Sequence, residues 1–171
     1  MLLGDFMVHK AVSDTGPILH LYEIDLLKVL DIFSVVTISE IIKDELKRHR
    51  IKINSKIKVV DIIDKSKDNM KLLTNQYDLD LGEASAISLA LQEKADYFLT
   101  DDLEARNVAK RLGLEVHGSV GVILRAFRER SLSKIEAIKK VHELKTKSSL
   151  FITEDIIAQI IKAIEDFSKE K

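Results

Sequence analysis

The chain has 171 residues, 46% of them hydrophobic, and no tract rich in proline, glycine or serine, so it is long enough for one compact domain with a sizeable core. Its 27 lysines and arginines balance 28 aspartates and glutamates, which excludes a basic character over the whole chain and leaves only local patches for a nucleic-acid partner. The absence of cysteine excludes disulfides and thiolate metal sites.

The sequence shows no sign of export or of membrane insertion. No stretch approaches the roughly 20 apolar residues of a membrane-spanning helix. The apolar run in residues 1–10 is too short for a signal peptide, and Asp5 interrupts it. We therefore expect a cytoplasmic protein without a membrane partner.

Strand and helix patterns alternate along the first part of the chain. The predicted strands cover residues 10–13, 35–38, 57–63, 97–99 and 114–117, and helical patterns occupy 18–33, the stretch after Ser39, about 66–77, 82–91 and 107–112. Alternation with short connections favours a parallel sheet covered by helices.

The tail of the chain is predicted to be helical throughout. A helix opens at 118–121, a second has capping-box spacing at Ser133 and Glu136, and a third runs from Thr153 to Lys169 with one apolar stripe. We divide the chain into a domain at 1–130 and a helical extension at 131–171. The extension is expected to pack on the same domain or on a partner.

Acidic residues occur where predicted strands end and where helices begin. Asp14 follows the first strand, Glu45 lies in the helix after the second, Glu83 opens the helix before the fourth, and Asp101 and Asp102 follow the fourth. Ligands of open α/β sheets bind beyond the carboxyl ends of the strands, so these side chains are expected to face one cleft. Each acid also has a structural interpretation as a turn residue, helix cap or surface ion pair.

Several carboxylates in one cleft repel one another, and a hard divalent cation would neutralise them. Oxygen ligands without cysteine favour Mg²⁺ or Mn²⁺ over Zn²⁺, and such a site suits the hydrolysis of phosphodiester bonds by water. The candidates for phosphate contacts are four basic residues, Lys47, Arg48, Arg50 and Arg106. We treat Asp80 and the five histidines as surface or structural residues.

Four motifs in order along the chain resemble the PIN domain. They are Ser-Asp-Thr-Gly-Pro-Ile at 13–18, Glu-Leu at 45–46, Gly-Glu-Ala-Ser-Ala-Ile-Ser-Leu-Ala at 82–90 and Leu-Thr-Asp-Asp at 99–102. The likeness covers residues 9–130 and is greatest to the VapC-type toxin nucleases and their uncharacterised prokaryotic relatives. The ordered set is fairly specific, although each motif alone is weak.

The resemblance implies a three-layer α/β/α fold with a five-stranded parallel sheet. It also implies an endoribonuclease that depends on Mg²⁺ or Mn²⁺, acts on single-stranded RNA, forms a homodimer and is silenced by an antitoxin protein. Transferred by motif, the catalytic residues are Asp14, Glu45, Glu83 and Asp102, and the metal ligands are Asp14, Glu83, Asp101 and Asp102.

Two other classes of protein compete with this interpretation. A phosphatase of the haloacid-dehalogenase type would need a second aspartate two residues after Asp14, where this chain has Gly16. A non-catalytic module that binds RNA or protein through the same fold remains open.

Overall fold

One sheet of five parallel strands forms the centre of the molecule. The computed structural model describes residues 9–170, so the first eight residues, on which the signal-peptide expectation rests, lie outside the described residues. The strands are β1 (Lys10–Ser13), β2 (Val35–Ile38), β3 (Ile57–Val59), β4 (Tyr97–Leu99) and β5 (Val116–His117), in the spatial order β3-β2-β1-β4-β5. This confirms the predicted α/β fold.

Eight α-helices flank the sheet within residues 9–170. They are α1 (Thr15–Glu23), α2 (Glu40–Arg48), α3 (Asp64–Gln76), α4 (Leu81–Gln92), α5 (Leu103–Arg111), α6 (Ser119–Arg128), α7 (Lys134–Lys147) and α8 (Glu154–Lys169). No helix in this part of the chain is long and apolar enough to cross a membrane.

Strand β1 lies at the centre of the sheet and pairs with β2 on one side and β4 on the other. Val12 is opposite Thr37 in β2 and opposite Phe98 in β4, and both Val12 and Phe98 are buried. A strand covered on both faces must be apolar along most of its length, which explains the short run Ala-Val before Ser13. The carboxyl ends of β1 and β4 therefore lie side by side.

The predicted first helix is divided into two elements. Helix α1 ends at Glu23, Asp25 adopts a left-handed conformation with φ of 54°, and a short 3-10 helix covers Leu27–Ile32. The apolar spacing continues across the break, because both elements pack on the same core, so the pattern alone could not reveal it.

Strand β3 is shorter than the predicted 57–63. Its partner β2 ends at Ile38, because Ser39 caps α2 by accepting the Ile42 N–H at 3.2 Å. The last ladder bond joins the Val60 N–H to the Ile38 carbonyl at 3.0 Å. Without a partner strand, the β-branched residues after Val60 continue as a connection to α3.

Helices α7 and α8 bury apolar side chains in the same core as the sheet. Ala137, Val141 and Leu144 of α7 are fully buried, and α8 buries Ile157 and Ile164. Part of the predicted apolar stripe of α8 is therefore covered by the chain itself.

We expect Ile164→Ala to lower the free energy of unfolding by about 2–5 kcal/mol, because it removes a fully buried side chain and leaves a cavity. Ile156→Ala is the matched control, since Ile156 lies on the same helix and is 45% exposed. Urea unfolding of the two variants measures the difference. Equal effects would mean that α8 does not pack as described.

Candidate active site

A cleft of about 400 Å³ opens at the carboxyl edge of the sheet. Its walls come from the segments after β1 and β4, from the first turn of α4 and from α2. All five acids predicted from the sequence line it, and they are Asp14, Glu45, Glu83, Asp101 and Asp102. The structure therefore brings together carboxylates that are separated by up to 88 positions in the chain.

Asp14 is the most buried of these acids and has a fixed orientation. Its side chain is 7% exposed, and it caps α1 by accepting the Thr15 N–H on Oδ1 at 2.8 Å. Oδ2 accepts the hydroxyl of Thr100 at 3.0 Å, and the Asp14 N–H donates to the Leu99 carbonyl at 2.8 Å. The start of α1 and the end of β4 thus hold Asp14 in place.

The pKa of Asp14 is raised from 3.8 to about 6, mainly because burial removes the carboxylate from water. The hydrogen bonds from Thr15 and Thr100 lower the pKa, whereas the nearby charges of Asp80 and Glu45 raise it. Keeping Asp14 charged in the folded protein therefore costs free energy.

Glu83 and Asp80 form a capping box at the start of α4. The Glu83 N–H donates to Asp80 Oδ1 at 2.8 Å, and the Asp80 N–H donates to Glu83 Oε2 at 2.9 Å. Burial is also the largest cause that raises the pKa of Glu83, to about 7, and the charges of Asp80, Asp102 and Asp14 add to it. Two carboxylates of the cleft therefore favour either a proton or a nearby cation.

Asp101 accepts three hydrogen bonds from outside its own segment. Oδ1 accepts the Ser119 N–H at 2.7 Å, while Oδ2 accepts the Ser119 hydroxyl at 2.5 Å and lies 2.6 Å from His20 Nδ1. Although burial raises the pKa of Asp101, these bonds outweigh burial and lower it. Asp101 therefore ties the start of α6 and His20 to the wall of the cleft.

Gly118 makes this contact of Asp101 possible. A Cβ atom at Gly118 would lie 2.6 Å from Asp101 Oδ1 and 3.3 Å from the Thr100 carbonyl oxygen. The contact of 2.6 Å leaves no room for a side chain while Asp101 keeps its position, so a glycine before Ser119 lets α6 approach the acid so closely.

Asp102 and Glu45 complete the cluster on opposite walls. Asp102 is exposed and caps α5, with Oδ1 accepting the Ala105 N–H at 2.8 Å. Glu45 accepts the hydroxyl of Thr15. A Cβ atom at Gly82 would lie 2.3 Å from Glu45 Oε1, so the glycine lets the start of α4 meet α2 at the carboxylate.

Three helices begin at the cleft with an aspartate as N-cap. These are α1 with Asp14, α4 with Asp80 and α5 with Asp102. A helix N-terminus carries about half a positive charge and unpaired N–H groups. The helix starts therefore offset part of the repulsion among the acids.

The potential metal ligands in the cleft are carboxylate oxygens, which suit Mg²⁺ or Mn²⁺. Across residues 9–170, no three acidic or histidine side chains already form a group that could hold an ion. Internal N–H and hydroxyl donors occupy oxygens of all five acids. Carboxylate oxygens fit a hard cation. Its ligands would have to come from the lone pairs of these carboxylates that accept no internal hydrogen bond.

The four predicted phosphate contacts lie in two places. Lys47, Arg48 and Arg50 are exposed at the end of α2 and in the turn after it, and they do not line the cleft. Arg106 lines a neighbouring groove, with Nη2 donating to the Thr100 carbonyl at 3.4 Å.

Two ionisable residues that line the cleft, Asp80 and His20, were not predicted as site residues from the sequence. Asp80 was treated as a surface acid, although its spacing to Glu83 is that of a capping box. His20 was treated as structural or exposed, and its contact with Asp101 spans 81 positions. A local pattern could have revealed Asp80, but no local pattern could have revealed His20.

Known proteins resemble this chain over most of its length, and not only at the cleft. No curated protein matches the sequence. A PilT N-terminus domain protein of the archaeon Sulfolobus solfataricus P2 is 16% identical with a TM-score of 0.51, over 68% of this chain and 92% of that one. VapBC2 of Rickettsia felis, solved with a DNA fragment from its promoter, is 16% identical with a TM-score of 0.47, over 64% of this chain and 98% of that one.

A family model of the PIN domain matches residues 10–166. The matched residues include the acids of the cleft, all of α7 and most of α8. The match extends past residue 130, where the resemblance of the motifs ended. The chain belongs to the PIN-domain family DUF3368.

Proposed function

We propose that this PIN domain is a metal-dependent endoribonuclease that hydrolyses phosphodiester bonds of single-stranded RNA. The observation that carries the proposal is the convergence of Asp14, Glu45, Glu83 and Asp102 on one cleft. RNA phosphates are negative, so this cleft would repel them unless a cation lay between the two sets of oxygens. Membership of the PIN family supports the same reaction class.

The acids have separate roles in this proposal. Of the four predicted metal ligands, Asp14, Glu83 and Asp102 would hold Mg²⁺ or Mn²⁺. Asp101, whose oxygens accept three hydrogen bonds from Ser119 and His20, would instead position the residues beside the ion. When bound, the ion would activate water and shield the charge of the phosphate. Glu45, oriented by the Thr15 hydroxyl, would accept a proton from the attacking water.

Water, rather than a side chain, is the nucleophile we propose. The chain has no cysteine. Ser119 and His20 both contact Asp101, whereas a nucleophilic serine would have to contact the histidine that removes its proton. The cleft therefore supports direct hydrolysis without a covalent intermediate.

The wider role that we propose rests on the family resemblance. In this proposal the protein is the toxin of a cytoplasmic toxin–antitoxin pair. It would act as a homodimer and be silenced by an antitoxin protein. Lys47, Arg48 and Arg50 would hold RNA phosphates away from the cleavage point, where exposed cations add affinity without sequence specificity. Arg106, which is half-exposed, would hold a phosphate in the groove beside the cleft.

We expect the purified protein to cleave single-stranded RNA with Mn²⁺ or Mg²⁺. Asp14→Asn and Asp102→Asn should each lower kcat/KM at least about a hundredfold, because a lost ligand removes several kcal/mol of charge stabilisation. Glu104→Gln is the control, since Glu104 is an exposed acid two positions after Asp102 that does not line the cleft. Gel assays with a labelled RNA measure the rates.

Failure of the parent protein to cleave, with the fold intact and metal bound, would favour a non-catalytic module that binds RNA or protein. Loss of activity in Glu104→Gln equal to that in Asp14→Asn would place the site elsewhere.

Without metal, Asp14→Asn should stabilise the fold at pH 8. The pKa of Asp14 is about 6 in the folded chain and 3.8 ordinarily, so the folded state binds more protons between these values. Stability is therefore lost as pH rises through that window and stays lower above it. Removing the charge should raise the free energy of unfolding at pH 8 by about 1–3 kcal/mol, as measured by urea unfolding in EDTA.

The amide can replace both hydrogen bonds of Asp14, because its oxygen can accept from Thr15 and its NH₂ can donate to the Thr100 hydroxyl. The stabilising effect should disappear at pH 3, where the carboxyl is protonated. A variant less stable than the parent at pH 8 would show that the charge of Asp14 is not the source of instability.

A further inference from the structure

Phe151 is an aromatic residue that folding leaves in water. Its side chain is 91% exposed, more than that of any other large hydrophobic residue between residues 9 and 170. It lies in the segment between α7 and α8, residues 148–153, which we call the strap. Burying the ring against a partner would be favourable, so Phe151 is available for contact with a molecule that binds here.

The strap is held in place on both sides of Phe151. Glu23 Oε2 accepts the Ser149 N–H at 2.7 Å and the Ser149 hydroxyl at 3.0 Å. The Leu150 N–H donates to Ser148 Oγ at 3.2 Å, and Ile152 is buried. The backbone around Phe151 is therefore fixed by contacts that do not use the ring.

The ring stands between the acidic cleft and a second groove. Phe151 and Leu150 line both the cleft and the groove of about 490 Å³ next to it. The groove also contains Arg106 and the half-exposed Ile156. An occupant of the groove that continued past Phe151 would reach the carboxylates directly.

We infer that Phe151 is a platform on which a base of single-stranded RNA stacks, next to the phosphate that is cleaved. The inference rests on the proposed function and adds a residue that positions the substrate. An exposed aromatic ring can stack on any base, because every base has a π face. The groove offers apolar walls to the base and the Arg106 guanidinium to a phosphate.

RNA fits these observations better than a protein partner does. The occupant must extend from an apolar groove with one arginine into a cleft of carboxylates. A single-stranded nucleic acid alternates flat bases with phosphates, and the phosphates can enter the cleft together with a cation. A protein that docked here would have to place basic side chains against the acids, and measurements of RNA binding and oligomeric state distinguish the two occupants.

Binding and stacking can be measured without cleavage. A short single-stranded RNA with one 2-aminopurine is titrated with the protein in Ca²⁺, and anisotropy of a terminal dye gives Kd while quenching of the 2-aminopurine reports stacking. We expect Phe151→Ala to raise Kd about 5- to 150-fold and to abolish quenching. Phe151→Trp should keep both, and Phe151→Leu should behave like alanine because it lacks a ring.

Ile135→Ala is the matched control, since Ile135 is 80% exposed and lines neither the cleft nor the groove. It should leave Kd and quenching unchanged. In cleavage assays with Mn²⁺, Phe151→Ala should raise KM and leave kcat at saturating RNA within about threefold, because ring loss removes binding common to ground and transition states.

Three results would overturn the inference. The first is unchanged Kd and quenching in Phe151→Ala, and the second is parental behaviour of Phe151→Leu. The third is a change of oligomeric state in light scattering without a change in RNA binding, which would assign the ring to a protein interface. A parent that binds and quenches RNA but never cleaves it would contradict the proposed nuclease and leave the stacking role supported.

Discussion

Carboxylates crowded at one edge of the sheet are the constraint around which the rest of this structure is arranged. The five acids of the cleft come from four separate segments. Each accepts an N–H or hydroxyl, either from its own helix start or from another element. Three of the nearby helices begin with an aspartate cap that faces the cleft. The positive ends of those helices and the short connections after β1 and β4 are what allow so much negative charge to collect in one place.

The acids of the cleft are nevertheless only partly compensated. Asp101 accepts three hydrogen bonds and has a lowered pKa, whereas loss of contact with water, and to a smaller extent the neighbouring charges, raise the pKa values of Asp14 and Glu83. The chain itself therefore stabilises the charged form of Asp101, whereas it compensates the charges of Asp14 and Glu83 only in part. Partly compensated charge of this kind is common at sites that bind ions, and the stability of the core must offset its cost in free energy.

The sequence was sufficient to predict the fold and the acids, because both depend on local signals. Short apolar strands that end in Asp14 or Asp101 mark the carboxyl edge of a parallel sheet, and the motifs supplied the order of the elements. Local sequence patterns did not predict the contacts between segments that are distant in the chain. The pairing of His20 with Asp101 and the position of Phe151 beside the cleft depend on how α1 and the strap pack, which no periodic pattern encodes.

The most direct measurement is anomalous X-ray diffraction from crystals of the protein grown with Mn²⁺. We expect an anomalous peak in the cleft within about 2.5 Å of carboxylate oxygens of Asp14 and Asp102, and its loss in crystals of Asp14→Asn. A cleft without a peak at saturating Mn²⁺, or a peak only at acids outside the cleft, would contradict the assignment of these carboxylates as a metal site.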